Sequence, residues 1–336
     1  MLNLGIANIL PANPASLIGK IIPDGLSDAA TSFVESLKIN SLSEKTRRGR
    51  RVVVKRRNVY GERAADLINF YFRISQTGIR YVSNAREWQR WETHCFNMLN
   101  GDRFKARIVD ARTIEEPKLP GKSLWDHMNA GTLTRGMLEA AGREYRRAHR
   151  ISVPQFRGGW SHGDASMPNV IYDHATGRAR LIDFEIMHTR AWSPRWRHAD
   201  DLLVFLLDMV DRVSMRNWVP FALAFLRGYD DVDLAFELRK RLVVPGGFAF
   251  IWWNVRTNFA KSAKVRRRFA ALRQAIVKMK FYGRAGSRRA RSNRRPSTSC
   301  HAIKPGMPKP SSRTRAIKER ARALSPGIPR RLPTTK

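Results

Sequence analysis

A carboxylate, an amide and a second carboxylate stand close together in the middle of this 336-residue chain. Asp164 follows a His-Gly pair, Asn169 comes five residues later, and Asp183 stands in the run Ile-Asp-Phe-Glu. A carboxylate such as Asp164 can orient or deprotonate a hydroxyl, and an amide with a second carboxylate can hold Mg²⁺ against a triphosphate. These residue types at this spacing therefore suit phosphoryl transfer.

The segment between Asn169 and Asp183 predicts the local structure that positions both residues. An apolar run is followed by a polar turn over residues 173–177 and by a second, alternating run, which is typical of a β-hairpin. A hairpin returns Asp183 to the neighbourhood of Asn169, so the two side chains can share one ion. Asp164 is expected in a loop, because a glycine and a proline interrupt regular structure on either side of it.

The pairing of His-Gly-Asp-x-x-x-x-Asn with Ile-Asp-Phe-Glu resembles the catalytic and metal loops of the protein-kinase-like superfamily. The resemblance is strongest for the branch with aminoglycoside and choline phosphotransferases, lipopolysaccharide-core sugar kinases and RIO-type kinases, and it spans roughly residues 37–258. It implies an α+β, two-lobed fold with a small antiparallel sheet in the N-terminal lobe and a mainly helical C-terminal lobe. It also implies that Asp164 is the base, that Asn169 and Asp183 hold the metal, and that ATP and Mg²⁺ are the cofactors.

The same resemblance implies a nucleotide-binding lysine that pairs with a carboxylate on a helix. Lys55 follows three valines, a β-branched run that predicts a strand, and it is identified as the lysine on the α- and β-phosphates. The alternative is a surface charge within a basic run. Residues 85–99 carry apolar side chains at helical spacing, and Glu92 and Glu87 are the candidate partners on this helix. Glu92 is favoured because its distance from the Asn100-Gly101 stop resembles the family's helix end.

Four other features receive structural interpretations. Residues 114–121 resemble the hinge between the lobes, where backbone groups would form hydrogen bonds with an adenine. The pattern of residues 132–150 predicts a helix of the C-terminal lobe. Asp201 is expected to cap or open an apolar helix, and by resemblance it also braces the catalytic loop from beneath. His162 is interpreted as a hydrogen-bonded anchor of that loop rather than as an acid or base.

The chain departs from the protein-kinase pattern in three places. No Gly-rich phosphate loop precedes Lys55, and serines and an arginine within residues 41–47 are open candidates to replace it. Ser166 occupies the position two residues after the catalytic aspartate, where protein kinases usually carry a lysine. Only about fifteen residues separate Asp183 from Asp200, which is too few for a long peptide-docking segment.

The last two departures favour a small molecule, a sugar or a glycolipid over a protein as the phosphate acceptor. Glu185 is a candidate for the acceptor pocket, whereas His188 and Arg190 are interpreted as surface-loop residues. A RIO-like atypical protein kinase remains an alternative. So does an inactive kinase fold that serves as a nucleic-acid or membrane binding protein.

Composition narrows the class of protein. The hydrophobic content is 43%, with nine tryptophans and sixteen phenylalanines, which is ample for a core. The two cysteines, Cys95 and Cys300, give neither a disulfide framework nor zinc-ligand spacing, so a cytoplasmic protein is expected. Peripheral attachment to the inner face of a membrane is an option, and no run is long enough for a transmembrane helix.

Four segments are predicted along the chain. They are an irregular arm (1–36), an N-terminal lobe (37–119), a C-terminal lobe ending in a basic amphipathic helix (120–282) and a disordered basic tail (283–336). The net charge of +35 is uneven, since 24 lysines and arginines but one acid follow residue 260. The helix predicted over residues 250–280 either packs on its lobe or lies on an anionic membrane, and the tail offers phosphate contacts to nucleic acid or lipid.

Overall fold

A computed structural model describes residues 39–279 except 157, 211, 247–249, 251–252, 254–255 and 258–259. The arm predicted for residues 1–36 and the tail predicted for residues 283–336 lie outside the described residues. The described strands are β1 (Asn40–Arg47), β2 (Arg50–Arg57), β3 (Ile79–Tyr81), β4 (Arg107–Asp110), β5 (Thr113–Pro117), β6 (Lys122–Ser123), β7 (Val170–Asp173), β8 (Arg178–Leu181) and β9 (Ile186–His188). The described helices are α1 (Gly61–Ile74), α2 (Ala85–Asn100), α3 (Leu124–Asn129), α4 (Arg135–His149), α5 (Pro194–Met209), α6 (Met215–Tyr229), α7 (Val232–Arg241) and α8 (Ser262–Lys278).

The first lobe is built on a four-stranded antiparallel sheet in the order β1-β2-β5-β4. β1 and β2 form a hairpin in which Arg48 and Gly49 both have positive φ, as a tight two-residue turn requires. The predicted strand through Lys55 is β2, and the predicted helix is α2. Asn84 caps α2 by accepting a hydrogen bond from the backbone N–H of Glu87. The apolar residues whose spacing predicted this helix, among them Trp88, Trp91 and Leu99, are buried.

The second lobe is mainly helical and carries a three-stranded sheet in the order β6-β7-β8. β7 and β8 are the predicted hairpin, with Val170 opposite Leu181 in the antiparallel register. The predicted helix of residues 132–150 is α4, which begins after the capping residue Thr134. Helices and sheet share one hydrophobic core with α2, so the α+β, two-lobed fold expected from the sequence is observed.

The predicted basic amphipathic helix is shorter than expected, since α8 begins at Ser262 rather than near residue 250. Its apolar residues Val265, Phe269, Leu272 and Ile276 are buried in the core, where α8 packs on α6 and α7. The stripe is therefore occupied within the protein, in agreement with the alternative in which this helix packs on its lobe. Among the described residues, the helices are too short or too polar to cross a bilayer.

Helices α4 and α6 of the second lobe approach each other closely at two glycines. A Cβ atom on Gly142 would lie 2.2 Å from the carbonyl oxygen of Phe225, and one on Gly228 would lie 2.1 Å from that of Glu139. Both obstacles are backbone atoms, so a side chain at either position requires the two helices to separate.

Gly142→Ala should therefore lower the free energy of unfolding by about 1–3 kcal/mol through overpacking. Gly136→Ala, on the same helix, is the matched control, because the nearest atom to a Cβ there is 3.9 Å away. We expect the control to be neutral or to stabilise the protein by up to about 1 kcal/mol through helix propensity. Urea unfolding measures both variants, and an unchanged midpoint for Gly142→Ala would contradict the close crossing.

Candidate active site

Lys55 lies at the centre of a buried cluster of charges between the lobes. The residue stands opposite Ile114 in the β2–β5 ladder, and only 5% of its surface is exposed. Its Nζ is 2.5 Å from Glu92 Oε1, 3.1 Å from Asp183 Oδ1 and 3.4 Å from Glu116 Oε2. One cation thus joins α2, strand β5 and the loop after β8.

The pKa values of this cluster reflect competition between burial and charge pairing. Burial alone would lower the pKa of Lys55, but Asp183, Glu116 and Glu92 together raise it well above its ordinary value. Lys55 is therefore a permanent cation. Burial raises the pKa of Glu92 and, more strongly, that of Glu116, although Lys55 opposes both shifts.

Of the two glutamates considered as partners of the lysine, Glu92 makes the contact. Its second oxygen, Oε2, accepts a hydrogen bond of 2.9 Å from the backbone N–H of Phe184. Glu92 therefore ties the lysine to the loop that carries Asp183. Glu87 instead forms an exposed ion pair with Arg80, at 2.6 Å.

Asp164 and Asn169 lie together in the loop before β7. Asn169 Nδ2 is 3.0 Å from both the backbone oxygen and the Oδ2 atom of Asp164. Burial raises the pKa of Asp164 to about 7, and the nearby negative charges of Asp183 and Asp208 add to the effect. A carboxyl group with this pKa is poised to exchange a proton near neutral pH.

The β7–β8 hairpin brings Asp183 to the same place. The backbone N–H of Ile182 donates to the oxygen of Asn169 at 3.0 Å, so the next residue, Asp183, emerges beside that strand. Asp183 has a φ of 66°, a left-handed conformation that is costly for a residue other than glycine. The strained backbone aims this carboxylate at both Lys55 and the Asp164–Asn169 pair.

Asp201 supports the loop that carries Asp164, as the resemblance implies. Its Oδ2 accepts from the backbone N–H of His162 at 2.8 Å, and its Oδ1 accepts from that of Gly163 at 2.9 Å. The prediction that Asp201 caps or opens a helix is wrong, because α5 begins after the capping residue Ser193 and Asp201 lies in mid-helix. Although burial opposes it, the neighbouring His188 and other histidines hold the pKa of Asp201 well below its usual range.

The two histidines near the loop are structural. His162 is buried, its Nε2 is 3.0 Å from the backbone oxygen of Ile182, and burial lowers its pKa, in agreement with its interpretation as an anchor. His188 does not lie in a surface loop: it is buried in β9, 3.0 Å from Ser161 Oγ and 3.3 Å from Asp200 Oδ2. Its burial follows from the pairing of β9 with β3, which sequence spacing does not reveal.

Glu185 and Arg190 have opposite environments. Glu185 is buried and accepts a hydrogen bond from Asn40 of β1, so it joins the first lobe. Arg190 is exposed, as expected for a surface loop. Arg47, considered as a phosphate ligand, forms an ion pair of 2.6 Å with Glu115.

Three residues near the site were missed by sequence reasoning. Asp208 Oδ2 accepts from the backbone N–H of Met167 at 2.6 Å, and burial raises its pKa to about 7. It stands seven residues after Asp201, two helical turns along the same face, and this spacing is the sequence signal that could have identified it.

Glu116 reaches Lys55 from the neighbouring strand. Arg256 holds Asp200 with two bonds of 3.1 Å, and its charge opposes the rise in the pKa of Asp164.

The donor set at Asn169 and Asp183 fits Mg²⁺ that is shared with a nucleotide. Within the described residues, Asn169 Oδ1 and Asp183 Oδ2 take no hydrogen bond, so both oxygens remain available. Among the same residues there is no group of three or more metal-binding histidine, cysteine or acidic side chains. One carboxylate and one amide suit an ion whose other ligands are phosphate and water.

Comparison with known proteins finds distant similarity to solved structures. No protein-family model and no curated protein matches the chain. Among solved structures, it is similar to an ethanolamine kinase of Plasmodium vivax, with 10% identity and a TM-score of 0.39 over 82% of this chain and 95% of that chain. It is also similar to Rv3197 of Mycobacterium tuberculosis, solved in a complex with erythromycin, with 14% identity and a TM-score of 0.34 over 71% of this chain and 70% of that chain.

Proposed function

We propose that this protein is an ATP- and Mg²⁺-dependent phosphotransferase that moves the γ-phosphate to a hydroxyl of a small molecule, a sugar or a glycolipid. The observation that carries the proposal is the position of Asp183. Its carboxylate is 3.1 Å from the Lys55 ammonium and close enough to Asp164 to raise the pKa of that residue. A cation for phosphates, oxygens for a metal and a candidate base therefore lie close together.

Each residue has a role that follows from its surroundings. Lys55, held by Glu92, would bind the α- and β-phosphates, and Asn169 and Asp183 would hold the metal, which would supply positive charge to the triphosphate. Asp164 would orient the acceptor hydroxyl and take its proton as the oxygen attacks the γ-phosphorus, whose bond to the β-phosphate oxygen breaks to release ADP. Asp201 fixes the loop backbone, so that Asp164 needs no rearrangement during the reaction.

The choice of a small acceptor rests on Ser166 and on the short connection after Asp183. β9 begins at Ile186 and α5 at Pro194, which leaves no long segment for docking a peptide. A RIO-like atypical protein kinase is the second candidate. We place the protein in the cytoplasm, and any peripheral membrane or nucleic-acid contact would use the basic region after residue 279.

Transfer of label from ATP tests the proposal and separates the candidates. Purified protein is incubated with γ-labelled ATP, Mg²⁺ and cell extract. The products are then divided into small-molecule, lipid and protein fractions. Label in the small-molecule or lipid fraction supports the proposal, and label in the protein fraction supports the RIO-like alternative. If Asp164→Asn gives the same labelling as the parent in every fraction, the proposal is wrong.

A further inference from the structure

A second concave site lies on the outer side of α2, lined by four arginines that the proposed mechanism does not use. Its volume is about 840 Å³, within the range of small-molecule pockets. The arginines come from three elements. We call this site the arginine groove, and its arginines are Arg80 of β3, Arg86 and Arg90 of α2, and Arg190 after β9.

Most of this positive charge has no partner within the protein. Glu87 is the one acid that lines the groove, and its carboxylate is already paired with Arg80 at 2.6 Å. Within the part of the chain that the structure describes, the side chains of Arg86, Arg90 and Arg190 make no hydrogen bond or ion pair. Four arginines against one glutamate leave a formal surplus of three positive charges.

The placement of two of these arginines on α2 is electrostatically unfavourable in the absence of an anion. Arg86 lies in the first turn of α2, where the helix dipole favours negative charge. Arg90 is four residues further along, so the two like charges share one face of the helix and repel each other. A bound anion would relieve both effects.

Polar atoms in the wall of the groove also lack partners. Among the described residues, the Nε1 donor of Trp91 and the Oε1 acceptor of Gln155 are buried atoms without a hydrogen-bond partner. Both residues line the groove, so unsatisfied polar groups lie in the wall beside the arginines.

We propose that the arginine groove binds a small polyphosphorylated ligand. Guanidinium groups form paired hydrogen bonds with phosphate oxygens, and the lining contains arginines but no lysine. A concave site of this volume suits a compact molecule better than an extended polymer. The site is separate from the proposed nucleotide cleft, because Glu92 of the same helix faces Lys55 and is fully buried.

Calorimetric titration of the full chain with inositol hexakisphosphate tests this proposal. The compact polyphosphate is added to the parent, to the double variant Arg86→Gln/Arg90→Gln and to the control Arg266→Gln/Arg267→Gln. Both variants remove two exposed arginines from a helix, so each changes the net charge equally. The probe should bind the parent, and the Arg86/Arg90 variant should lose at least about tenfold in affinity, whereas the control should change less than about twofold.

Three outcomes would overturn the proposal. Equal losses in the two double variants would show that the probe responds to overall charge, and unchanged affinity in the Arg86/Arg90 variant would show that the groove does not bind it. The third is lost affinity in Lys55→Met, once circular dichroism has verified that this variant is folded, because that loss would place the probe in the proposed nucleotide site. Failure of the proposed phosphotransfer activity would leave these expectations unchanged.

Discussion

Asp164→Asn should lower the rate of phosphate transfer by about a thousandfold, because general-base catalysis typically contributes 10²–10⁴-fold. Asparagine preserves the size of the side chain and can still accept a bond from Asn169, but it cannot take a proton from the acceptor hydroxyl. Steady-state transfer from labelled ATP measures the loss. Ser166→Ala is a control in the same loop, since its Oγ makes no hydrogen bond within the described residues; it should keep most of the activity.

The same substitution should stabilise the metal-free protein at alkaline pH. The pKa of Asp164 is raised to about 7 in the folded state, against 3.8 for an ordinary aspartate, so the ionised form weakens the fold. Stability is therefore lost as the pH rises between these two values. We expect Asp164→Asn to melt above the parent at about pH 8 and close to it at about pH 4. A lower melting temperature for the variant at both pH values would contradict the assignment of a functional, destabilised carboxylate.

Lys55→Met should reduce transfer by at least about a hundredfold, the usual cost of removing one preorganised charge from a phosphate or oxyanion site. It should also destabilise the protein by about 3–5 kcal/mol at about pH 8, because Glu92 and Glu116 lose their buried counter-ion. Without the lysine, the pKa values of both glutamates rise further. The destabilisation should shrink at about pH 5, where these glutamates are protonated more readily.

Urea unfolding at the two pH values, with circular dichroism to verify folding, checks this prediction. Lys45→Met is the matched control, because Lys45 lies in the neighbouring strand β1 and is exposed. The control should retain both stability and activity. A Lys55→Met variant with the parent's turnover, or with a destabilisation that does not depend on pH, would remove Lys55 from the proposed site.

Local patterns predicted the elements that carry the site. Three valines before Lys55 indicated a strand, the apolar spacing of residues 85–99 indicated a helix, and the runs around residues 173–177 indicated a hairpin. Each signal depends on residues that are near one another in the sequence. The contact of Glu92 with Lys55 was implied by the resemblance to the kinase-like superfamily, and the structure shows it.

The errors have two physical origins. One is a misplaced helix start. Asp201 was predicted to cap the apolar helix, but α5 begins after Ser193, and a serine followed by proline is the stronger start signal. The other is pairing between distant segments. The burial of His188 depends on the pairing of β9 with β3, which leaves no periodic trace in the sequence.

The central claim is that Asp183 and Asn169 hold a divalent ion against a nucleotide. Calorimetric titration with a non-hydrolysable ATP analogue, with and without saturating Mg²⁺, tests it most directly in the parent and in Asp183→Asn. We expect Mg²⁺ to strengthen binding to the parent by at least about tenfold and to have little effect on the variant. If Mg²⁺ strengthens binding to both proteins equally, or if the parent does not bind the analogue, the site is not what we propose.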